Sequence, residues 1–431
     1  MKKIFISLLI ALTPAFAFMS CTEDSALIDL ENTSTDADDD DDDDSDSYDF
    51  SVNYKGQTLY FNIDTTAVNE CYVTYGEEYN YAGDIEIPSQ VTYNGTTYTV
   101  SGIGEKAFYE TALTSITIPS SVKHIGGRAF AEAQLTSITI PSSVKYIGRW
   151  AFDRTDLTSI TIPSSVEYIG VGTFSYCDEL KEITVEDGNA YYVVVDDVLY
   201  TKDMTTLVAY PGGKTDSDFT MISSVDSVVV GAFDGNKHLK NLTVESNTVE
   251  LDESMFDGCY NIASITVNED NPNYTTVDGV LYNKAQTELL FYPQGKTETG
   301  FTVPATVKKI MDYAFEDCDN LRTVTMQDGL MVIQENAFNY CENLESVVIP
   351  STTRQIMSYG FNHCSNLSSI KIYATEPFEI ESDAFYDYDE DNDDYGLNYR
   401  NATLYVPAGT KSLYEDTDYW NSFVNIVEME E

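Results

Sequence analysis

Basic residues are scarce in this 431-residue chain: 23 Lys and Arg stand against 72 Asp and Glu, for a formal charge of −49. A surface so negative repels nucleic acid and anionic membrane, so neither fits as a partner. Histidine is scarcer still, with three in the whole chain. His124, His238 and His363 fall in variable slots, expected to be exposed and far apart, and no Ser/His/Asp constellation can be assembled around them. The seven cysteines include no C-x-x-C pair and no clustered His beside them, so a zinc site has no ligand set. The apolar run from Ile4 to Leu12 is too short to serve as a permanent membrane span. No catalytic site emerges, no cofactor is implied, and the chain reads as a non-enzyme.

What is present is repetition. Between Ala112 and Phe174 one phrase is written three times: LTSITIPSSVKHIGGRAF, LTSITIPSSVKYIGRWAF and LTSITIPSSVEYIGVGTF. Phe130, Phe152 and Phe174 mark a period of 22 residues. A fixed period in this range is the signature of a solenoid, whose units cannot bury an apolar face alone and must stack. Leu113, Ile116 and Ile118, recurring as Leu135, Ile138, Ile140 and Leu157, Ile160, Ile162, have the spacing of a short strand with alternate residues inward. Pro119, Pro141 and Pro163 cannot donate a ladder hydrogen bond, so each ends its strand and turns a corner. Val122 and Ile125 open a second face, Gly126 breaks it, and Ala129-Phe130 plugs the far side of the coil.

These residues resemble the BspA-like leucine-rich-repeat family of bacterial surface proteins (leucine-rich repeat type 5). Its unit reads roughly C-x-x-L-x-x-I-x-I-P-x-x-V-x-x-I-G-x-x-A-F, and the match in register covers about residues 50 to 431. The resemblance implies a repeat solenoid of short parallel strands, mostly β and irregular, capped at both ends. It also implies a surface interaction protein, and it names no ligand.

The first 20 residues read as a secretory signal, with Lys2 and Lys3 before the apolar core. Ser20-Cys21 resembles a lipobox, in which Cys21 becomes the lipidated first residue of a lipoprotein; Phe18 stands where Leu is usual. Cleavage after Ala15-Phe16-Ala17, leaving Cys21 a free thiol, is the alternative. Residues 21–50 form an acidic tether: residues 22–50 hold 14 acids and no Lys or Arg, seven of them consecutive Asp at 38–44. Like charges repel along such a run, so it reads as a solvated spacer, with calcium collection as the rival use. Glu23 and Asp24 after the Cys resemble the signals that send some Gram-negative lipoproteins to the outer surface. Removing Lys2 and Lys3 brings the charge to −51, and setting aside the tether acids leaves −37 on residues 51–431.

Residues 51–101 are strand-like, with Asn94-Gly95 as a hairpin turn, and fit an N-terminal β cap. The repeat array follows over 102–385. Phe108, Phe130, Phe152, Phe174, Phe233, Phe256, Phe315, Phe338, Phe361 and Phe385 give ten plugs, most of them 22 to 24 apart. Two gaps are 59, and each carries the same kind of insertion, near 189–214 and 271–296. Val198-Leu199-Tyr200 and Val280-Leu281-Tyr282 are 82 apart, and each insertion is predicted to be a β-hairpin projecting from the coil. Residues 386–431 resemble the family's C-terminal cap, with Tyr405, Val406, Leu413, Tyr414, Trp420, Phe423 and Ile426 expected to cover the last coil.

Five cysteines, Cys177, Cys259, Cys318, Cys341 and Cys364, share one slot that Ala133 and Thr155 fill elsewhere, which marks a small buried side chain. Disulfides between neighbouring coils are the chemically allowed alternative in a secreted protein. Asp389, Asp391 and Asp393 imitate a calcium loop, but Asp394 and Arg400 stand where an EF-hand needs Gly and Glu. An acidic loop is therefore the default there, with a loose calcium site as the rival. The outward strand slots form a Ser/Thr ladder that includes Thr117, Thr139, Thr161 and Thr184. It reads as β-branched stacking on a sheet, with a polar docking face as the functional alternative. Tyr146, Tyr168, Tyr176, Tyr340 and Tyr359, among 32 Tyr, offer large rigid contacts. The combined expectation is a lipid-anchored solenoid on the outer membrane, at the cell surface, that binds a protein or glycan in adhesion or a host contact. A structural envelope spacer without a ligand is the alternative.

Overall fold

The computed structural model describes residues 48–76, 81–248, 251, 253–386, 388–389, 394–395 and 401–430. The signal segment, Cys21, nearly all of the acidic tether, Asp391 and Asp393 lie outside the described residues. The chain is a mostly-β parallel solenoid of about 13 turns.

Each coil follows from its sequence. In the Ser159–Ile162 strand the inward Ile160 and Ile162 are buried, as is Leu157 just ahead of it, while Thr161 faces solvent. The Pro then turns the chain, and the Val three residues on donates its N–H back to the Pro carbonyl, as Val166 does to Pro163 at 3.2 Å. A two-residue strand forms the second face: His124–Ile125, Tyr146–Ile147 and Tyr168–Ile169 pair in parallel register. The following Gly is required by close approach. A Cβ on Gly148 would sit 2.5 Å from the Gly127 nitrogen, and one on Gly170 would sit 2.4 Å from that of Arg149. Backbones of successive coils touch there, which leaves no room for a side chain.

The Phe plugs stack down the axis. Phe108, Phe130, Phe152 and Phe174 lie 5.3, 5.5 and 6.0 Å apart with their planes within 4°. On either side of the plugs Phe108, Phe130, Phe152 and Phe174 the chain turns through a left-handed residue two positions away, as at Trp150 (φ 51°) and Arg154 (φ 52°) around Phe152.

The insertions differ from expectation. Tyr192–Val195 and Val198–Thr201 do form a hairpin, but a third antiparallel strand, Thr206–Ala209, follows. That strand pairs in parallel with Ser227–Val228, so the insertion is a three-stranded meander woven into the second face. Tyr274–Val277, Val280–Asn283 and Glu288–Phe291 repeat the arrangement, and the last joins Lys309–Ile310. Each meander also supplies a plug of its own. Tyr210 stacks 5.3 Å from Phe233, and Tyr292 5.1 Å from Phe315. The count of ten plugs was therefore low, because these rings are Tyr followed by Pro and not the second half of Ala-Phe.

The buried apolar side chains fall into three blocks: Phe50 to Ala209, Val198 to Phe291, and Val280 to Ile426. Alternate meander residues belong to different blocks, Leu199 to the first and Val198 and Tyr200 to the second. Strand alternation thus makes each meander a two-sided joint.

At the N-terminal end Phe50–Tyr54, Gln57–Ile63 and Glu70–Thr74 pair antiparallel. Thr96–Ile103 hairpins with Gln90–Tyr93 through Asn94 (φ 48°) and Gly95 (φ 79°), then runs parallel to His124–Ile125. At the other end Trp420 is fully buried and donates its indole N–H to the Phe378 carbonyl at 2.8 Å. The Tyr414 hydroxyl donates to the Ala374 carbonyl at 2.8 Å. Leu413, expected to cover the coil, is 46% exposed: the five-residue helix Lys411–Glu415 turns Tyr414 inward and leaves its neighbour outside.

Candidate functional site

Stacked coils present three outward surfaces: the long-strand face, the short-strand face, and the edge formed by the turns around the plugs. The four candidate threonines belong to the first. Thr161 and Thr184 pair in register, with their hydroxyls 2.9 Å apart. Thr117 sits opposite Glu86, and exposed Thr139 lies in a segment without strand pairing. Further along, Val348, Lys371 and Tyr405 replace the hydroxyls, so the ladder does not continue through the array.

Tyr146 and Tyr168 stand on the short-strand face with rings 6.2 Å apart. Tyr168 is exposed and Tyr146 half-buried. Tyr176 is on the plug-turn edge, also half-buried, beneath the guanidinium of Arg154 at 4.5 Å. The seven candidate residues therefore occupy three separate surfaces. Asp389 lies in the short strand Tyr388–Asp389, and among the described residues no cluster of His, Cys, Asp and Glu is arranged to hold a metal.

The histidines are less exposed than expected. His238 is open, but His124 is half-buried across Gly102, and desolvation lowers its pKa. His363 is half-buried and stacks on Tyr340 at 4.4 Å. The slot cysteines are buried and free, and each has a specific bond. Their thiols donate to the carbonyl of the preceding plug: Cys177 to Phe152 at 3.0 Å, Cys259 to Phe233 at 2.9 Å, Cys341 to Phe315 at 2.9 Å and Cys364 to Phe338 at 3.1 Å. Burial pushes the Cys177 thiol up to about 12, so it is not a thiolate nucleophile.

The plug-turn edge also carries a cluster of aromatic and basic side chains that no single motif marks. In the first coils the guanidinium groups of Arg128 and Arg149 both lie over the Trp150 ring, at 4.9 and 5.5 Å, and all three residues belong to this edge. Arg149 and Arg154 also reach Glu105 and Glu132, at 3.8 and 3.7 Å. The available signal was the variation among the three near-copies: IGGRAFAEA, IGRWAFDRT and IGVGTFSYC differ here, while LTSITIPSSV is unchanged.

On the same edge four plugs are followed directly by an acidic residue: Asp153, Asp234, Asp257 and Glu316. Burial, reinforced by the Asp257 charge, raises Asp234 and Glu316 to about 8. Asp153 and Asp317 rise to about 6, burial again the main cause. The Ser175 hydroxyl lies 3.1 Å from one Asp234 oxygen, and Asn339 donates to Glu316 at 3.0 Å. Beside the first meander a recess of about 200 Å³ opens between Glu186, Tyr192 and Lys202.

Comparison with known proteins gives a consistent picture. A family model described as the BspA type leucine-rich repeat region matches the chain in six copies over residues 101–201, 214–278 and 287–390, more than half of its length. Among solved structures, the chain is similar to a leucine rich cell surface protein from Faecalibacterium prausnitzii, with 24% identity and a TM-score of 0.47 over 89% of this chain and 96% of that one. It is also similar to the pneumococcal vaccine antigen PcpA, with 19% identity and a TM-score of 0.44 over 89% of this chain and all of that one. A leucine-rich repeat protein from Bacteroides ovatus follows, with 20% identity and a TM-score of 0.33 over 78% and 99% of the two chains. No curated relative matches the chain.

Proposed function

The chain belongs to the BspA-type leucine-rich-repeat family, and from that premise we propose that it is a lipid-anchored protein of the bacterial cell surface whose solenoid binds a protein or glycan partner without catalysis. One observation carries the binding reading. In three coils that share the LTSITIPSSV strand and turn, the segment around each plug diverges, and its outward slots on the plug-turn edge hold Arg128, Arg149, Trp150, Arg154 and Tyr176. Trp, Tyr and Arg are the residues that dominate binding energy at interfaces, and here their rings and guanidinium groups are already stacked in place. Stacking in the free protein lowers the ordering cost of association. The threonines Thr117, Thr139, Thr161 and Thr184 and the pair Tyr146 and Tyr168 are assigned supporting roles on the neighbouring faces.

The test is a screen of the intact chain and of its Arg128→Ala/Trp150→Ala variant on glycan and protein arrays. The expected result is a ligand whose binding weakens at least tenfold in the variant, about 1.4 kcal/mol. Equal binding by both proteins would move the site off this edge, and no ligand on either array would favour an envelope spacer. The anchor is tested by metabolic labelling with a fatty acid: label on the native chain should vanish in Cys21→Ser, and persistent label would remove Cys21 from that role.

A further inference from the structure

The acidic part of the plug-turn edge lies where the apolar core is cut. Asp153 adjoins a plug of the first block, Asp234 and Asp257 adjoin plugs of the second, and Glu316 and Asp317 follow a plug of the third. On this edge the backbone passes directly between blocks, for the Tyr176 N–H donates to the Asp234 carbonyl at 3.2 Å. One coil on, Gly235 donates to Asp257 at 2.9 Å, and Asp317 donates to Asn339 at 3.0 Å.

The groups facing these carboxylates are named from every packed coil. Asp234 faces Ser175, Asp153, Arg154 and Asp257. Glu316 faces Asn339, Asp257 and Asp317, while Asp317 faces Asp257, Asp319 and Glu342. The Tyr176 and Tyr260 phenols also adjoin Asp257, and burial together with that charge raises both. Asp153 faces Arg154, Glu132, Arg128 and Asp257, and the buried Cys259 thiol adjoins Asp234 and Asp257. Three cations stand nearby, and all are engaged: Arg154 with Glu132 and the Tyr176 ring, Arg128 with the Trp150 ring, and Lys237 with Asp178. Asp153, Asp178 and Asp234 each keep one carboxylate oxygen buried with no hydrogen-bond partner among the described residues.

We infer that this seam is a pH-dependent coupling between the three core blocks: with its carboxyl groups protonated the stack behaves as one rod, and with them ionised the middle block opens on its own. Like charges stacked in partly buried positions cannot all ionise without cost. The direction follows from linkage. Asp234 and Glu316 rise from ordinary values of 3.8 and 4.5 to about 8, so between those limits the folded chain holds protons that the unfolded chain releases. Stability at the junctions therefore falls as pH rises from about 4 to about 8, and acid tightens them.

Amide hydrogen exchange on the full chain at pH 5.5 and 7.5, corrected for intrinsic rates, reads the effect. The Tyr176 amide, which crosses from the first block to the second, and the Gly235 amide inside the middle block should open about tenfold or more faster at pH 7.5. The Phe130 amide, bonded to Ala151 at 2.9 Å inside the first block, should change little. Asp234→Asn/Glu316→Gln should abolish the acceleration, with Glu316→Gln alone reducing it if the double variant does not fold. Asp187→Asn, at an exposed carboxylate beside the first meander, should leave it intact. Equal acceleration at Phe130, no acceleration in the native chain, or full acceleration in the carboxamide variants would each overturn the inference.

Discussion

The three near-identical coils and the middle block are built from the same unit, yet they solve the stacking problem differently. In the first, plug rings lie nearly parallel, Phe130 and Phe152 within 1° of each other. In the middle block Phe233 and Phe256 are tilted by 37°, and Phe256 meets Phe291 at 41°. The cause lies in the neighbours. A coil between copies of itself meets the same side chains above and below, so one rotamer repeats. A coil beside a meander meets Phe219 or Phe291, which enter the column from other positions and tilt the rings. Charge differs in the same way. The first coils set Arg149 and Arg154 beside Glu105 and Glu132, whereas the middle edge stacks carboxylates on one another. Regular repetition gives a uniform core; interruption gives distinct chemistry at the joints.

The largest test of this contrast is plug removal. Phe152→Ala should cost about 3–5 kcal/mol, because flat, fully packed neighbours leave a cavity that cannot collapse. Phe256→Ala should fall toward the lower end of that range, since tilted rings have somewhere to move. Solenoid stability is a sum of unit and nearest-neighbour terms, so the Phe152 loss should stay within the first block. Hydrogen exchange should show it around residues 109–195 and only weakly beyond Phe315. Uniform loss along the array, or equal costs at the two plugs, would erase the distinction between regular and interrupted regions.

Much of this was legible in the residues because a solenoid's core is local. Leu157, Ile160, Ile162 and Phe152 could be placed from period alone, and the cysteine slot from its alternation with Ala133 and Thr155. The meanders were only half legible. Val198-Leu199-Tyr200 announced a strand, but the pairing of Thr206–Ala209 with Ser227–Val228 depends on which coil the chain rejoins. Tyr210 hid as a plug because Pro211 follows it where the repeat has another residue type. The carboxylate seam was invisible for a related reason. Ser175 and Asp234 are 59 residues apart, and they meet only because the first meander leaves the edge and returns to it. Glycine carried an unread clue: Gly231 (φ 75°) and Gly235 (φ 75°) flank Phe233 at the two left-handed positions, which fixes that edge in register with Trp150 and Arg154.

The smallest predicted effect concerns the ladder of hydroxyls on the long-strand face. Thr161 and Thr184 share a 2.9 Å hydrogen bond, but Thr161 is solvent-exposed and water competes for both hydroxyls. A cross-strand pair of this kind contributes roughly 0.2–1 kcal/mol relative to alanines, and a β-branched replacement keeps most of the packing. Thr161→Val should therefore change stability by less than about 0.5 kcal/mol, measured as a shift in the denaturant midpoint at constant slope. The same change should leave array binding intact if the plug-turn edge is the anchor. A loss of binding with unchanged stability would instead make the threonine face the recognition surface. The unchanged LTSITIPSSV of the three coils would then be a repeated ligand-binding row, and not the plain sheet surface its geometry describes.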